Sequence, residues 1–152
     1  MSDPSGSALP GAVLFACGQN VIRSPMAAAI TRSLFPKRVY CRSAGVRPGR
    51  NDPFMAQVMD EIGVDVSTHK PHTFEDLEDG YFDLIITLAP EAHHYALDFA
   101  SSYAIDVEYW PTPDPSVVQG SRSQILDAYR GVRDALMTKI KQRFAWHPPA
   151  GS

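Results

Sequence analysis

The sequence predicts an α/β fold: a parallel sheet with helices on both faces. Two observations carry the prediction. Short apolar runs of strand length are separated by segments with helical apolar spacing, and the two kinds of segment alternate along a chain of 152 residues. Ala12 to Ala16 is a short apolar run, as expected for a strand buried on both faces, and Val39 to Ser43 and Phe82 to Leu88 read the same way. Ile105 to Tyr109 is a fourth candidate strand. Between the first two strands Met26, Ala29, Ile30, Ser33 and Leu34 fall on one helical face. Met55, Val58, Met59 and Ile62 mark a second helix, Glu91 to Ala100 a weaker third, and Ile125, Tyr129, Val132, Leu136, Ile140 and Phe144 a long last one whose apolar face packs on the sheet.

The length suits one domain with a substantial core, and no linker or repeat interrupts it. Residues 1–11, rich in Ser, Pro and Gly, read as a flexible lead, residues 12–146 as the domain, and residues 147–152 as a flexible tail. A formal net charge of -3 argues against a nucleic-acid partner. No secretory signal or membrane span is visible, so a cytoplasmic protein without membrane association is expected, a monomer or weak dimer. Two cysteines are too few for a disulfide framework or a thiolate zinc site. His93 and His94 are adjacent and diverge on a helix, so no metal and no cofactor is expected.

Function concentrates in the loop after the first strand, Cys17-Gly18-Gln19-Asn20-Val21-Ile22-Arg23-Ser24-Pro25. In a parallel α/β sheet the loops at the carboxyl ends of the strands carry the site. Ser24 is a good helix N-cap and Pro25 fits the first helical position, so the helix is expected to begin there with its unpaired amides directed into the loop. Such amides bind anions and favour the thiolate form of Cys17. Arg23 adds a planar fork able to hold two oxygens of a tetrahedral oxyanion. The plainer account, a structural cysteine at the end of a core strand, does not explain the following Arg-Ser-Pro and the helix that starts at once.

A thiolate that attacks phosphorus expels an alkoxide or phenoxide, which needs a proton from a positioned acid. Asp114, in Trp110-Pro-Thr-Pro-Asp-Pro-Ser116, sits in a loop that flanking prolines stiffen. Two other Asp-Pro pairs, at Asp3 and Asp52, show that the dipeptide alone is weak.

Taken together, the Cys17 loop, Ser43-Ala44-Gly45, Gly63-Val-Asp-Val-Ser-Thr-His69, Phe82-Asp83-Leu84-Ile85 and Asp114-Pro115 resemble the low-molecular-weight protein tyrosine phosphatase family over nearly the whole chain. The resemblance implies a single-domain, four-stranded parallel sheet and a phosphomonoester hydrolase with a phosphocysteine intermediate and no metal. It makes Cys17 the nucleophile, Arg23 the clamp and Asp114 the general acid and base. The loop from Gly18 through Gln19, Asn20, Val21 and Ile22 binds the phosphate. Ser24 would hydrogen-bond the thiolate, while Asn20, held by Ser43 and His69, would brace the loop from behind.

Departures from the family bear on substrate. Ser116, Val117 and Val118 stand where the animal phosphatases carry aromatic residues, so the slot is expected to lack a stacking wall. Arg47 and Arg50 follow the second strand, most simply as solvated charges. The Asp52-Pro53 helix start, Trp110 and Tyr129 lean towards the family's arsenate reductase branch, but Thr87 to His94 holds no cysteine for an internal thiol relay. Ile22 removes the second loop cysteine of many family members, and Cys41 reads as a small core hydrophobe. Three functions follow: a phosphatase acting on a phosphorylated protein or small aryl phosphate, a single-cysteine arsenate reductase using an external thiol, and a non-catalytic phosphate-binding regulatory module.

Overall fold

The structure, a computed structural model, describes residues 9–77 and 81–148. Most of the expected lead (residues 1–8) and of the tail (residues 149–152) therefore lies outside the described residues. Leu9 packs against the core and the Gly11 carbonyl accepts from the Tyr40 amide at 2.9 Å, so part of the expected lead engages the domain.

Four strands form one parallel sheet in the order β2-β1-β3-β4. They are β1 (Ala12–Cys17), β2 (Tyr40–Gly45), β3 (Leu84–Thr87) and β4 (Asp106–Tyr109). β1 and β3 lie at the centre and are apolar on both faces because both are covered. β4 is an edge strand, half exposed, with Asp106 and Glu108 among its four residues. Starting from β1, the chain crosses to β2 through helix α1 (Arg23–Leu34), and from β3 to β4 in the opposite direction through helix α3 (Pro90–Ala100). Right-handed crossovers running in opposite directions put α1 and α3 on opposite faces.

Helix α1 is buried from Ser24 to Thr31, not along one stripe. It lies between the sheet and the last helix, α4 (Arg122–Arg143), and Ala27, Ala28 and Ala29 let it approach both closely. The apolar face of α4 is accordingly spent mainly on α1 and on α2 (Pro53–Asp60), where direct packing on the sheet was expected. Arg133 ties α4 to α2, donating to the Val58 carbonyl and to Glu61, both at 2.8 Å.

The helix boundaries have local causes. Asp52 caps α2, its carboxylate accepting from the Phe54 amide at 2.8 Å, with Pro53 in the first position. α2 stops at Asp60, short of Ile62, where Gly63 takes a left-handed φ of 74° and the Val64 amide returns to the Met59 carbonyl. Ser121 and Gln124 form a capping box at the start of α4. Among the described residues no helix is long and apolar enough to cross a membrane.

Candidate active site

Cys17 is the last residue of β1, and the chain from Gly18 to Ile22 turns back over the end of the sheet. Two features let it turn so tightly. Asn20 adopts a left-handed φ of 59°, which asparagine tolerates better than most residues. Gly45, ending β2, lies so close that a Cβ there would stand 2.8 Å from the Asn20 nitrogen and the Gln19 carbonyl carbon. The Gly18 carbonyl accepts from the Val46 and Arg47 amides at 2.9 and 3.1 Å, which anchors the loop to the chain leaving β2.

The curl has a chemical consequence. Among the described residues none of the amides of Gly18, Gln19, Asn20, Val21 and Ile22 has a hydrogen-bond acceptor in the protein. Such donors, converging ahead of a helix N-terminus, suit a tetrahedral oxyanion. Arg23 opens α1 and donates through Nη1 to the Thr112 carbonyl at 2.9 Å. Its Nε and Nη2, the edge that grips two oxygens at once, have no partner among the described residues.

Ser24 is not the N-cap. The helix begins two residues earlier than expected, at Arg23, with Ile22 in the cap position and no side-chain cap; the Ser24 hydroxyl is engaged elsewhere. It lies 3.0 Å from the Cys17 sulfur and accepts from Asn20 Nδ2 at 2.9 Å. With Asn20 donating, the hydroxyl hydrogen is free to point at the sulfur; the alternative acceptor, the Ala44 carbonyl, is at 3.4 Å. Cys17, Asn20 and Ser24 are all buried, so this chain of bonds is shielded from water.

Behind the loop, His69 Nε2 lies 2.8 Å from the Asn20 carbonyl, which can only accept, so the ring hydrogen sits on Nε2. Burial holds the His69 ring below the ordinary histidine range, and the nearby His72 and Arg32 push it the same way. The Asn20 side-chain oxygen accepts from the His72 amide at 3.1 Å. Ser43, expected beside His69 as a brace, is buried on β2 but makes no side-chain hydrogen bond among the described residues; the His72 backbone holds Asn20 in its stead. A backbone donor leaves no residue-type signal to find it by.

Asp114 arrives from the other side. The Trp110 amide donates to the Thr87 carbonyl at 2.8 Å and the Thr112 amide to the Leu88 carbonyl at 3.1 Å, extending the β4 pairing into the loop. The Trp110 ring stacks edge-on against Phe15. Asp114 then caps a 3-10 turn, Pro115–Val117. Cys17, Gly18, Gln19, Val21, Ile22, Arg23 and Asp114 line one open cavity of about 760 Å³.

A cysteine, a run of unpartnered loop amides, an arginine and an aspartate thus share one cavity. Residues 12–145 match the family model described as low molecular weight phosphotyrosine protein phosphatase. The chain belongs to that family. Its similar relatives include the glutaredoxin arsenate reductase of Synechocystis sp., 24% identical and covering 88% of this chain and 95% of that one. The arsenate reductase of Bacillus subtilis is likewise 24% identical, over 86% and 92%. Among solved structures, an arsenate reductase in its phosphate-binding state superposes with a TM-score of 0.73 at 24% identity, covering 88% of this chain and 96% of that one. The Erwinia amylovora tyrosine phosphatase AmsI gives a TM-score of 0.71 at 20% identity, covering 92% and 94%. At these identities the superpositions establish the fold.

The rim of this family member differs from the sequence expectation. The cavity does have an aromatic surface: the partly exposed Phe54, near the start of α2, lines it, backed by the buried Tyr129 of α4 with 5.5 Å between ring centroids. Aromatic residues absent after Asp114 are thus supplied by elements remote in sequence. The Asp52-Pro53 helix start signals where Phe54 lies; nothing local signals that α4 brings Tyr129 there. Arg47 is not merely solvated, since it pairs with Glu91 of α3 at the cavity edge beside Gly18. Glu91 carried no sequence signal. Arg50 lines the same edge.

Cys41 is buried, and desolvation pushes its thiol up to about 12 despite the nearby Arg32. In the β1–β2 register it pairs with Val13, four residues below the Cys17–Gly45 pair, about 13 Å along the strand. His93 contacts the Thr87 hydroxyl at 3.0 Å and stacks on Tyr109. Among the described residues no group of three potential metal ligands occurs.

Proposed function

We propose that this protein is a cysteine-dependent phosphomonoester hydrolase acting on a phosphorylated protein or a small aryl phosphate. The observation that carries the reading is the convergence of Cys17 and Asp114 on one cavity whose floor is formed by unpartnered loop amides and the open edge of Arg23. The amides and Arg23 hold three phosphate oxygens and stabilise the charge that spreads over them during transfer. The Cys17 thiolate, held by the Ser24 hydroxyl, attacks phosphorus in line; the P–S bond forms as the P–O bond to the leaving group breaks. Asp114 gives its proton to the departing oxygen. The resulting carboxylate then takes a proton from water, which attacks the phosphocysteine, releasing inorganic phosphate and restoring the thiolate. Phe54, backed by the buried Tyr129, offers an apolar surface to an aryl leaving group. A free nucleophilic thiol suits the reducing cytoplasm.

A second reading, arsenate reductase, is favoured by the names of the relatives and by a solved arsenate reductase of this fold described in a phosphate-binding state. Arsenate has the shape and charge of phosphate. Thiolate attack would give a Cys17–arsenate adduct, and the two electrons that reduce it must come from two external thiols, since Cys41 is buried and about four residues down the sheet. One experiment separates the readings: wild type and Cys17→Ser assayed side by side on p-nitrophenyl phosphate and on arsenate with glutathione, mycothiol or thioredoxin. Hydrolysis that vanishes in Cys17→Ser supports the hydrolase. Arsenite formation that depends on a supplied thiol, without ester hydrolysis, replaces it. Tight phosphopeptide binding with neither activity returns the binding-module reading.

A further inference from the structure

Resting on the hydrolase reading, the geometry points to Ser116 as a positioning residue that fixes which oxygen of Asp114 carries the proton. The Asp114 carboxyl must serve two opposite transfers, giving a proton to the leaving group and later taking one from water. Both need the same oxygen turned towards the cavity. Asp114 Oδ1 accepts from the Ser116 amide at 2.9 Å and from the Ser116 hydroxyl at 2.6 Å, while Oδ2 has no partner among the described residues.

Two donors on one oxygen decide where the proton goes. A proton on Oδ1 would oppose the Ser116 amide hydrogen, which has no lone pair to offer and is fixed by the 3-10 turn. The proton is therefore carried on Oδ2. Tyr129, the other hydroxyl on the cavity wall, does not compete, because it donates to Asp52 Oδ2 at 2.6 Å. Pro113 and Pro115 fix the backbone on either side of Asp114, so the freedom that remains is the carboxyl torsion. The Ser116 hydroxyl, the shorter of the two contacts, restrains it.

In the first step the Oδ2–H bond breaks as the leaving oxygen gains that proton; in the second, Oδ2 regains one from the attacking water. Oδ1 stays tied to Ser116 throughout. An aromatic side chain at this position would give up that hydroxyl donor, and the aromatic surface of this cavity is instead Phe54.

The test compares wild type, Ser116→Ala and Ser116→Thr on phenyl phosphate, whose leaving group needs the proton, and p-nitrophenyl phosphate, whose leaving group needs it less. Ser116→Ala is expected to lose about tenfold in kcat/KM on phenyl phosphate and clearly less on p-nitrophenyl phosphate. Inhibition by inorganic phosphate should be unchanged, and Ser116→Thr should recover most of the loss. Ser116→Cys, a weaker donor, carries the Ser116→Ala expectation should that variant fold poorly. Equal losses on both esters, no loss at all, or a Ser116→Thr as impaired as Ser116→Ala would overturn the assignment. If wild type hydrolyses neither ester while remaining folded, the hydrolase reading itself fails, an outcome distinct from an active wild type matched by Ser116→Ala.

Discussion

Around Cys17 the backbone is buried and almost every polar side chain is consumed inside the protein: Asn20 holds Ser24, Ser24 meets the sulfur, and His69 and the His72 amide hold Asn20. Around Asp114 the chain is more exposed, its carboxyl is tied among the described residues only to Ser116, and a bond from Arg23 to the Thr112 carbonyl joins the two regions. The cradle is built to fix a small anion in one pose and leaves little room for variation. The rim segment after Asp114, with Val117 and Val118 exposed, can exchange residues at small cost in stability. On the hydrolase reading, binding an oxyanion and choosing its substituent are then separable.

The largest test of that separation is Arg23→Lys. It keeps the charge but loses both the paired edge and the bond to Thr112, so kcat/KM on an aryl phosphate should fall about 100-fold or more, with weaker inhibition by inorganic phosphate. Asp114→Asn should leave phosphate inhibition intact and lower kcat by about 100-fold, because the rim's acid is lost while the cradle stays whole. If it weakens phosphate binding as much as turnover, the two regions are not separable.

Phe54→Ala should raise KM for p-nitrophenyl phosphate about three- to tenfold, the order expected for losing one aromatic contact, without changing inhibition by phosphate or vanadate. An equal change in all three would place Phe54 in the support of the cradle.

The smallest effect is on stability. Burial keeps the His69 ring neutral in the folded chain, with its proton directed at Asn20 and with His72 and Arg32 nearby. The folded value lies below the unfolded value of about 6.5, so the folded state is fully favoured above that pH and loses stability as pH falls towards the folded value. Urea midpoints measured from pH 7 to 5 should therefore drop more steeply for wild type than for His69→Gln. Parallel curves would mean that the ring is not desolvated as the structure has it.

Much of the cradle was legible because local rules specify it. A strand that ends in cysteine, a loop closed by Arg-Ser-Pro and an alternation of apolar runs pointed to the parallel α/β sheet and to the place of Cys17 at the end of its first strand. Even there one local rule failed. Ser24 has the residue type of an N-cap, yet a tertiary partner, the Cys17 sulfur, claimed its hydroxyl. The brace on Asn20 was read as two side chains and is one side chain plus the amide of His72, which any residue type other than proline could supply.

The rim was far less legible, for a physical reason. Phe54, Glu91, Asp114 and Tyr129 come from four segments, and which of them share a cavity depends on how α2, α3 and α4 pack about the sheet ends. By itself the sequence determined where Cys17, Arg23 and Asp114 lie along the chain, and that helices alternate with strands. Only the tertiary structure decided which loop amides stay unpaired and that aromatic residues of α2 and α4 come to the cavity. Those outcomes are set by directions and distances between distant segments, and local residue patterns do not encode them.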